Sequence, residues 1–338
     1  MTLRVSRTRR IAALAAGLLA AASIAIPQAE ARTRPLTEHE RIIAFWTPER
    51  VAKAVPRDFV YDPATKQFAL RGKPGGGGGG STSVTGSSWA NGGEVLANTG
   101  KVLFAMGSSY YVCSAAVVDD NNANRSIILT AGHCVWDPAT GFSTNWIFIP
   151  EYDTLPARLT TSGSFCASTK WGCWTASSLV ASDVFAGEPG FTTTATLHDY
   201  AFAVVGAGGH NNTQLDTEVG SQPISFSALS SGTDTWLFGY PASGKYKGND
   251  LVYSRGSLGF DSNTGNQTYR VTSNMTGGSS GGPWFAPFTG TNGVGTGTLV
   301  SVNSYGYGGV TAMFGPILNS ETSAMFSAAL TTNANIQV

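Results

Sequence analysis

The stretch Gly277-Gly278-Ser279-Ser280-Gly281-Gly282-Pro283, read with Leu129-Thr130-Ala131-Gly132-His133-Cys134 far upstream, supplies a candidate nucleophile and a candidate base. Glycines on both sides of a serine leave backbone N–H groups open toward the oxyanion that develops when a hydroxyl attacks a carbonyl, and they remove side chains that would block the approach. The same glycines would also suit a flexible tether. Their flanks argue otherwise: Val271-Thr272-Ser273-Asn274 before the run and Pro283-Trp284-Phe285 after it are a setting of strand formers, so the run reads as a structured turn between strands. His133 closes the apolar run Ile127-Ile128-Leu129, which puts it at the exit of a strand, where reactive groups commonly sit.

Thr130-Ala131-Gly132-His133-Cys134 and Gly278-Ser279-Ser280-Gly281-Gly282-Pro283 resemble the two signature motifs of the chymotrypsin/trypsin-like serine peptidases of bacterial secreted type. The resemblance covers roughly residues 101–307 and implies a mainly β fold, two antiparallel six-stranded barrels side by side with the active site at their interface. It implies hydrolysis of peptide bonds through a Ser-His-Asp triad and an acyl-enzyme, on a protein or peptide substrate and without a cofactor. The family's chain order of His, then Asp, then Ser asks for an acid between His133 and Ser280. Of the eleven acidic residues in that interval, only Asp199 leads directly into an alternating apolar run, Tyr200-Ala201-Phe202-Ala203-Val204-Val205. A shielded carboxylate there would hold one imidazole nitrogen in the right tautomer and stabilise the imidazolium. A strand-edge turn residue is the competing reading of Asp199, with Asp183 and Asp234 as the next candidates. His198 should project away if Asp199 projects in, and is read as structural, like His39 and His210.

By the same resemblance, the N–H groups of Gly278 and Ser280 form the oxyanion hole, and Ser279 is the neighbour of the nucleophile rather than its rival. Many relatives carry aspartate at the position of Ser279, and a serine offers no charge to a freshly cut amine there, so maturation should act differently. Substrate binding falls on Asn274, six before the nucleophile, and on Ser304, Tyr305 and Gly306, a segment resembling the one that pairs with substrate backbone. Asn274 disfavours a strong Lys/Arg preference, and the segment lacks the histidine that glutamyl-specific relatives use. A catalytically inactive homologue or a secreted β-rich surface- or carbohydrate-binding protein is the alternative.

The ends carry their own signals. Arg4, Arg7, Arg9 and Arg10 precede a 17-residue apolar stretch (residues 11–27), and Ala29-Glu30-Ala31 supplies small residues for cleavage, so residues 1–31 read as a secretory signal. The mature protein is expected outside the cell, free of the membrane after signal removal, as a monomer. Residues 32–80 read as a propeptide-like charged segment ending in a six-glycine tract, with a short helix capped by Thr47 and opened by Pro48, and residues 81–338 as the protease domain. Residues 1–73 hold 13 of the 21 Lys/Arg and 6 of the 21 Asp/Glu, which leaves the remainder with 8 and 15, a net of −7. Without a basic patch, nucleic-acid binding has no electrostatic basis.

Four cysteines behind such a signal imply disulfides, and they fall into two local pairs, Cys113 with Cys134 and Cys166 with Cys173, among three formal pairings. The resemblance supports the first, a bridge that clamps the strand before the base. A metal at these cysteines is discounted, because the separated pairs lack a tight Cys/His constellation. Short β-rich runs at 101–106, 110–118, 126–129, 146–149, 200–205, 235–238, 269–272 and 298–302 alternate with Gly, Asn, Asp and Ser clusters, and only 320–330 suggests a helix near the C-terminus.

Overall fold

The structure is a computed structural model describing residues 1–2, 34–62, 64–70, 83–122, 124–154 and 165–338. All but the first two residues of the predicted secretory signal, and the whole glycine tract, lie outside the described residues.

Helix α1 (Glu38–Phe45) begins at Thr37, whose hydroxyl accepts the Glu40 N–H while the Glu40 carboxylate accepts the Thr37 N–H, a reciprocal cap for two otherwise orphaned donors. Helix α2 (Pro48–Lys53) has the expected Thr47 cap and first-turn proline. Three short strands follow: β1 (Val55–Pro56), β2 (Phe59–Asp62) and β3 (Gln67–Leu70).

After β4 (Val84–Ser88) and α3 (Glu94–Asn98), the first lobe is built from β5 (Thr99–Met106), β6 (Ser109–Val118) and β7 (Ser126–Thr130). A small hairpin, β8 (Trp136–Asp137) and β9 (Gly141–Phe142), precedes β10 (Thr144–Pro150) and β11 (Trp174–Ala181). Two single-turn helices, α4 (Asp183–Gly187) and α5 (Thr193–Leu197), lead into β12 (Ala201–Val205). The order β6-β5-β10-β11-β12-β7 closes through antiparallel β6–β7 pairing, giving a six-stranded barrel. Strands β5, β7 and β12 are buried along their whole length, which is why apolar residues dominate them and why β12, read from the sequence as alternating, is apolar on both faces. The sequence reading missed β11, whose Thr175, Ser177 and Ser178 interrupt the apolar pattern.

Helix α6 (Leu215–Val219) leads to the second lobe: β13 (Asp234–Gly239), β14 (Val252–Ser257), β15 (Gly259–Phe260), β16 (Thr268–Val271), β17 (Pro283–Thr289), β18 (Thr296–Val302), β19 (Tyr305–Tyr307) and β20 (Met313–Pro316). One sheet runs β18-β17-β13-β14-β4 and the other β15-β16-β20-β19, enclosing Leu237, Val271, Met275 and Trp284, so the two-barrel architecture is complete. Helix α7 (Ser320–Ala329) then returns to the first barrel, where Phe326 meets Phe202 at 5.5 Å.

The N-terminal strands join both lobes. β1 pairs in parallel with β6, Val55 opposite Tyr111; β2 pairs in parallel with β19, Phe59 opposite Tyr305; and β3 lies antiparallel on β2. Arg57 and Asp58, between β1 and β2, therefore cross from one lobe to the other.

Candidate active site

The first lobe delivers a histidine and a carboxylate through strand register. Ala201 of β12 stands opposite Thr130 of β7, so the residues just before β12 lie beside those just after β7. Asp199 and His133 occupy those places. The Asp199 carboxylate accepts the His133 backbone N–H through Oδ1 at 2.8 Å and meets His133 Nδ1 through Oδ2 at 2.8 Å. Both residues are fully buried. A third bond comes across the lobe boundary, where the Ser304 hydroxyl donates to Asp199 Oδ2. His198 turns away to Glu321 at 3.2 Å. The disulfide Cys113–Cys134 ties β6 to the residue after His133, and Cys166–Cys173 closes as the second bridge. Cys113, His133 and Cys134 lie close enough to hold a metal ion, but both sulfurs are consumed in the first bridge.

The second lobe delivers the serine on a turn between β16 and β17. Gly278 at φ +96° and Gly281 at φ +79° adopt conformations that residues with a Cβ rarely take. Gly281 is further required by space, since a Cβ there would strike Thr130 Oγ1 and the Ser114 carbonyl and lie 2.9 Å from the Ala131 nitrogen. This close approach seats the serine turn on the strand end that carries His133. The turn is then fixed by its backbone: the Ser280 carbonyl accepts Ser114 N–H at 2.7 Å, the Gly278 carbonyl accepts Ser114 Oγ–H at 2.8 Å, and Gly281 N–H donates to the Asn303 carbonyl at 2.7 Å. The N–H groups of Gly278 and Ser280 make no hydrogen bond to another described residue. Ser279 is spent elsewhere, its hydroxyl donating to the Thr276 carbonyl at 2.8 Å. His133 Nε2 is buried without a hydrogen-bond partner among the described residues, so a Ser280–His133 bond is not formed in this arrangement.

The residues expected to bind substrate are spread over several roles. Ser304 supports Asp199 through its hydroxyl. Tyr305 sends its phenol into the second lobe, bonding Asp261 Oδ2 at 2.7 Å and Thr268 Oγ1 at 2.7 Å, and Tyr307 reaches the same carboxylate oxygen at 2.6 Å. Burial and the nearby carboxylate push both phenols well above the usual tyrosine range, so they stay donors. Asp261 thereby holds β19 from behind, a role with no motif to announce it. Gly306 pairs with Val60 of the N-terminal segment. Asn274 Oδ1 accepts the Tyr246 hydroxyl at 2.5 Å beside Gly86.

The N-terminal segment supplies further neighbours of His133. Arg57, with its guanidinium pulled down by burial and held up by Asp137, donates to the His133 carbonyl and pairs with Asp137. Phe59 sets its edge against the His133 ring at 5.3 Å and stacks on Phe191 at 4.2 Å and 3°. None of Arg57, Phe59 or Phe191 stands in a recognisable motif.

No family model and no curated sequence matches the chain. Solved structures do. A thermostable serine protease, AL20, from an extremophilic microorganism is 33% identical, covering 71% of this chain and 99% of that one at a TM-score of 0.58. Protease Anisep from Arthrobacter nicotinovorans is also 33% identical, over 70% of this chain and 97% of that one, at 0.58. A Glu endopeptidase at 18% identity, covering 73% and 97% with a TM-score of 0.51, shares the fold. With two barrels meeting where the histidine, carboxylate and serine motifs converge, and one-third identity across nearly the whole of a known serine protease, the chain belongs to the chymotrypsin/trypsin-like serine protease family.

Proposed function

We propose that the chain is a secreted serine endopeptidase made with an N-terminal propeptide. Ser280 attacks the carbonyl of a peptide bond, His133 takes the hydroxyl proton through Nε2 and returns it to the leaving amine, and water releases the acyl group by the same route in reverse. Asp199 fixes the tautomer and stabilises the imidazolium, while Gly278 and Ser280 offer N–H groups to the oxyanion. The observation that carries this reading is the pairing of a doubly bonded, buried His133–Asp199 couple with unspent N–H groups on the serine turn. Residues 1–31 are removed on export, and the segment that follows covers the site until it is displaced. His133 is fully buried and Ser280 is 2% exposed with that segment in place.

A fluorophosphonate probe applied to the secreted protein tests the reading. Labelling at Ser280, lost in Ser280→Ala, is the expected result, and a secreted protein that never labels would overturn it. N-terminal sequencing of the same sample locates maturation: a start at Arg32 would defeat the propeptide assignment.

A further inference from the structure

One side chain brings a cation up to the histidine. Arg57 stands where the N-terminal segment leaves β6, its backbone N–H on the Val112 carbonyl at 3.4 Å. It is 5% exposed, so a guanidinium has been taken out of water and needs partners to replace its hydration. Those partners belong to the body. Nη1 donates to the His133 carbonyl, Nη2 pairs with Asp137 Oδ2, and the Tyr111 ring centroid lies 5.8 Å from the guanidinium carbon. Burial pulls the guanidinium down, while Asp137 and, more weakly, Asp199 hold it up. Only the Phe59 ring, at 5.3 Å, comes from the segment itself.

The acceptors are held in place by contacts that do not involve Arg57. Asp137 Oδ1 accepts the Ala139 N–H at 2.9 Å, and Asp137 pairs with Gly141 across the β8–β9 hairpin, so the carboxylate is fixed by its own turn. The His133 backbone is fixed by its bond to Asp199 and by the Cys113–Cys134 bridge at the next residue. Among the described residues no other cation pairs with Asp137. Displacing the segment therefore leaves a carboxylate and a carbonyl converging beside an aromatic ring, a donor-hungry set that a planar guanidinium fits better than an ammonium.

Its position fixes which part of a substrate meets it. β2 runs along β19, where Ser304, Tyr305 and Gly306 are the residues expected to bind substrate. Arg57 lies at the opposite end of the crossing, on β6 and against the carbonyl of His133, the group that returns a proton to the leaving amine. Resting on the endopeptidase reading, we infer that Asp137, with the His133 carbonyl and the Tyr111 ring, forms a subsite for a basic side chain of the substrate, arginine before lysine, on the leaving-group side of the scissile bond. Arg57 occupies that subsite while the segment is in place. Asp137 selects the substrate and takes no part in the chemistry.

Quenched-fluorescence peptides cut by the secreted enzyme, identical except in the two residues after the cut, test the subsite. kcat/KM should be about 10-fold higher with arginine than with methionine at one of those positions, with lysine between them and glutamate lowest. Added salt should shrink the arginine advantage. Asp137→Asn keeps the oxygen that accepts the Ala139 N–H, and should bring the arginine-to-methionine ratio below about 3. Asp137→Lys should turn the preference toward glutamate. Binding separates the subsite from the chemistry: peptides of the leaving-side sequence alone, too short to be cut, should bind the secreted protein about 10-fold tighter with arginine than with methionine, and Asp137→Asn should abolish the difference. An arginine advantage that survives Asp137→Asn, or wild-type binding that shows none, would overturn the inference. Asp137-dependent binding with no peptide cleaved would count against the endopeptidase reading and leave the subsite standing.

Discussion

The two lobes hold the residues of the proposed triad by different means. The first fixes His133 and Asp199 through side-chain hydrogen bonds at the ends of fully buried strands. The second fixes Ser280 through the backbone, with two glycines at positive φ and carbonyls tied to Ser114. Side-chain changes in the first lobe should therefore damage chemistry before stability, and backbone changes in the second should damage stability first.

Asp199→Asn should produce the largest effect on that contrast, lowering kcat of the matured enzyme about 10⁴-fold because an amide favours the wrong imidazole tautomer. Peptide hydrolysis measured beside the thermal midpoint checks it, and a loss of stability large enough to account for the lost rate would break the comparison. Gly281→Ala comes next. The new methyl meets backbone it cannot displace, in a conformation that disfavours it, so a cost of about 3 kcal/mol or more in unfolding free energy is expected. Denaturant midpoints read it directly, and a stable, inactive variant would show the turn to be softer than its contacts indicate.

The smallest effect concerns a contact between the lobes. Lys101 of β5 is buried, donates from Nζ to the Gly248 carbonyl of the second lobe at 2.5 Å and sits 3.9 Å from the Tyr152 ring centroid. Burial pushes its ammonium down to about 7, against the opposing pull of Asp153. The unfolded chain keeps this proton to about pH 10, so between about 7 and 10 it binds more protons than the folded one, and stability rises with pH across that window. Lys101→Met should flatten the rise by up to about 1.4 kcal/mol per pH unit. Unfolding measured at pH 7, 8 and 9 in both proteins would give parallel lines if Lys101 keeps its ordinary affinity for a proton.

Much of this contrast was legible in the residues. Most of the first lobe's strands announced themselves as apolar-rich runs, and the serine turn as glycines between strand formers. Strands β2, β3 and β19 are too short to show a period, and β11 hides behind its hydroxyls. Ser304 was singled out, yet its bond to Asp199 spans 105 positions and follows from no local pattern. The charged N-terminal segment invited the reading of a tethered propeptide. Its two helices and three strands pack within the same compact unit as the body, which no local pattern foretold, because Trp46, Phe59 and Phe68 find aromatic partners that only folding assembles.

The order of residues alone determined the β class, the two motifs and the carboxylate that leads into a buried strand, since each depends on neighbours within a few positions. Tertiary structure decided that Ser304 and Asp261 brace the site from the second lobe, and that residues 55–62 bridge the cleft in parallel with β6 and β19. Those outcomes rest on hydrogen bonds and ring contacts between segments far apart in the chain, and only the closed barrels bring such segments within bonding distance.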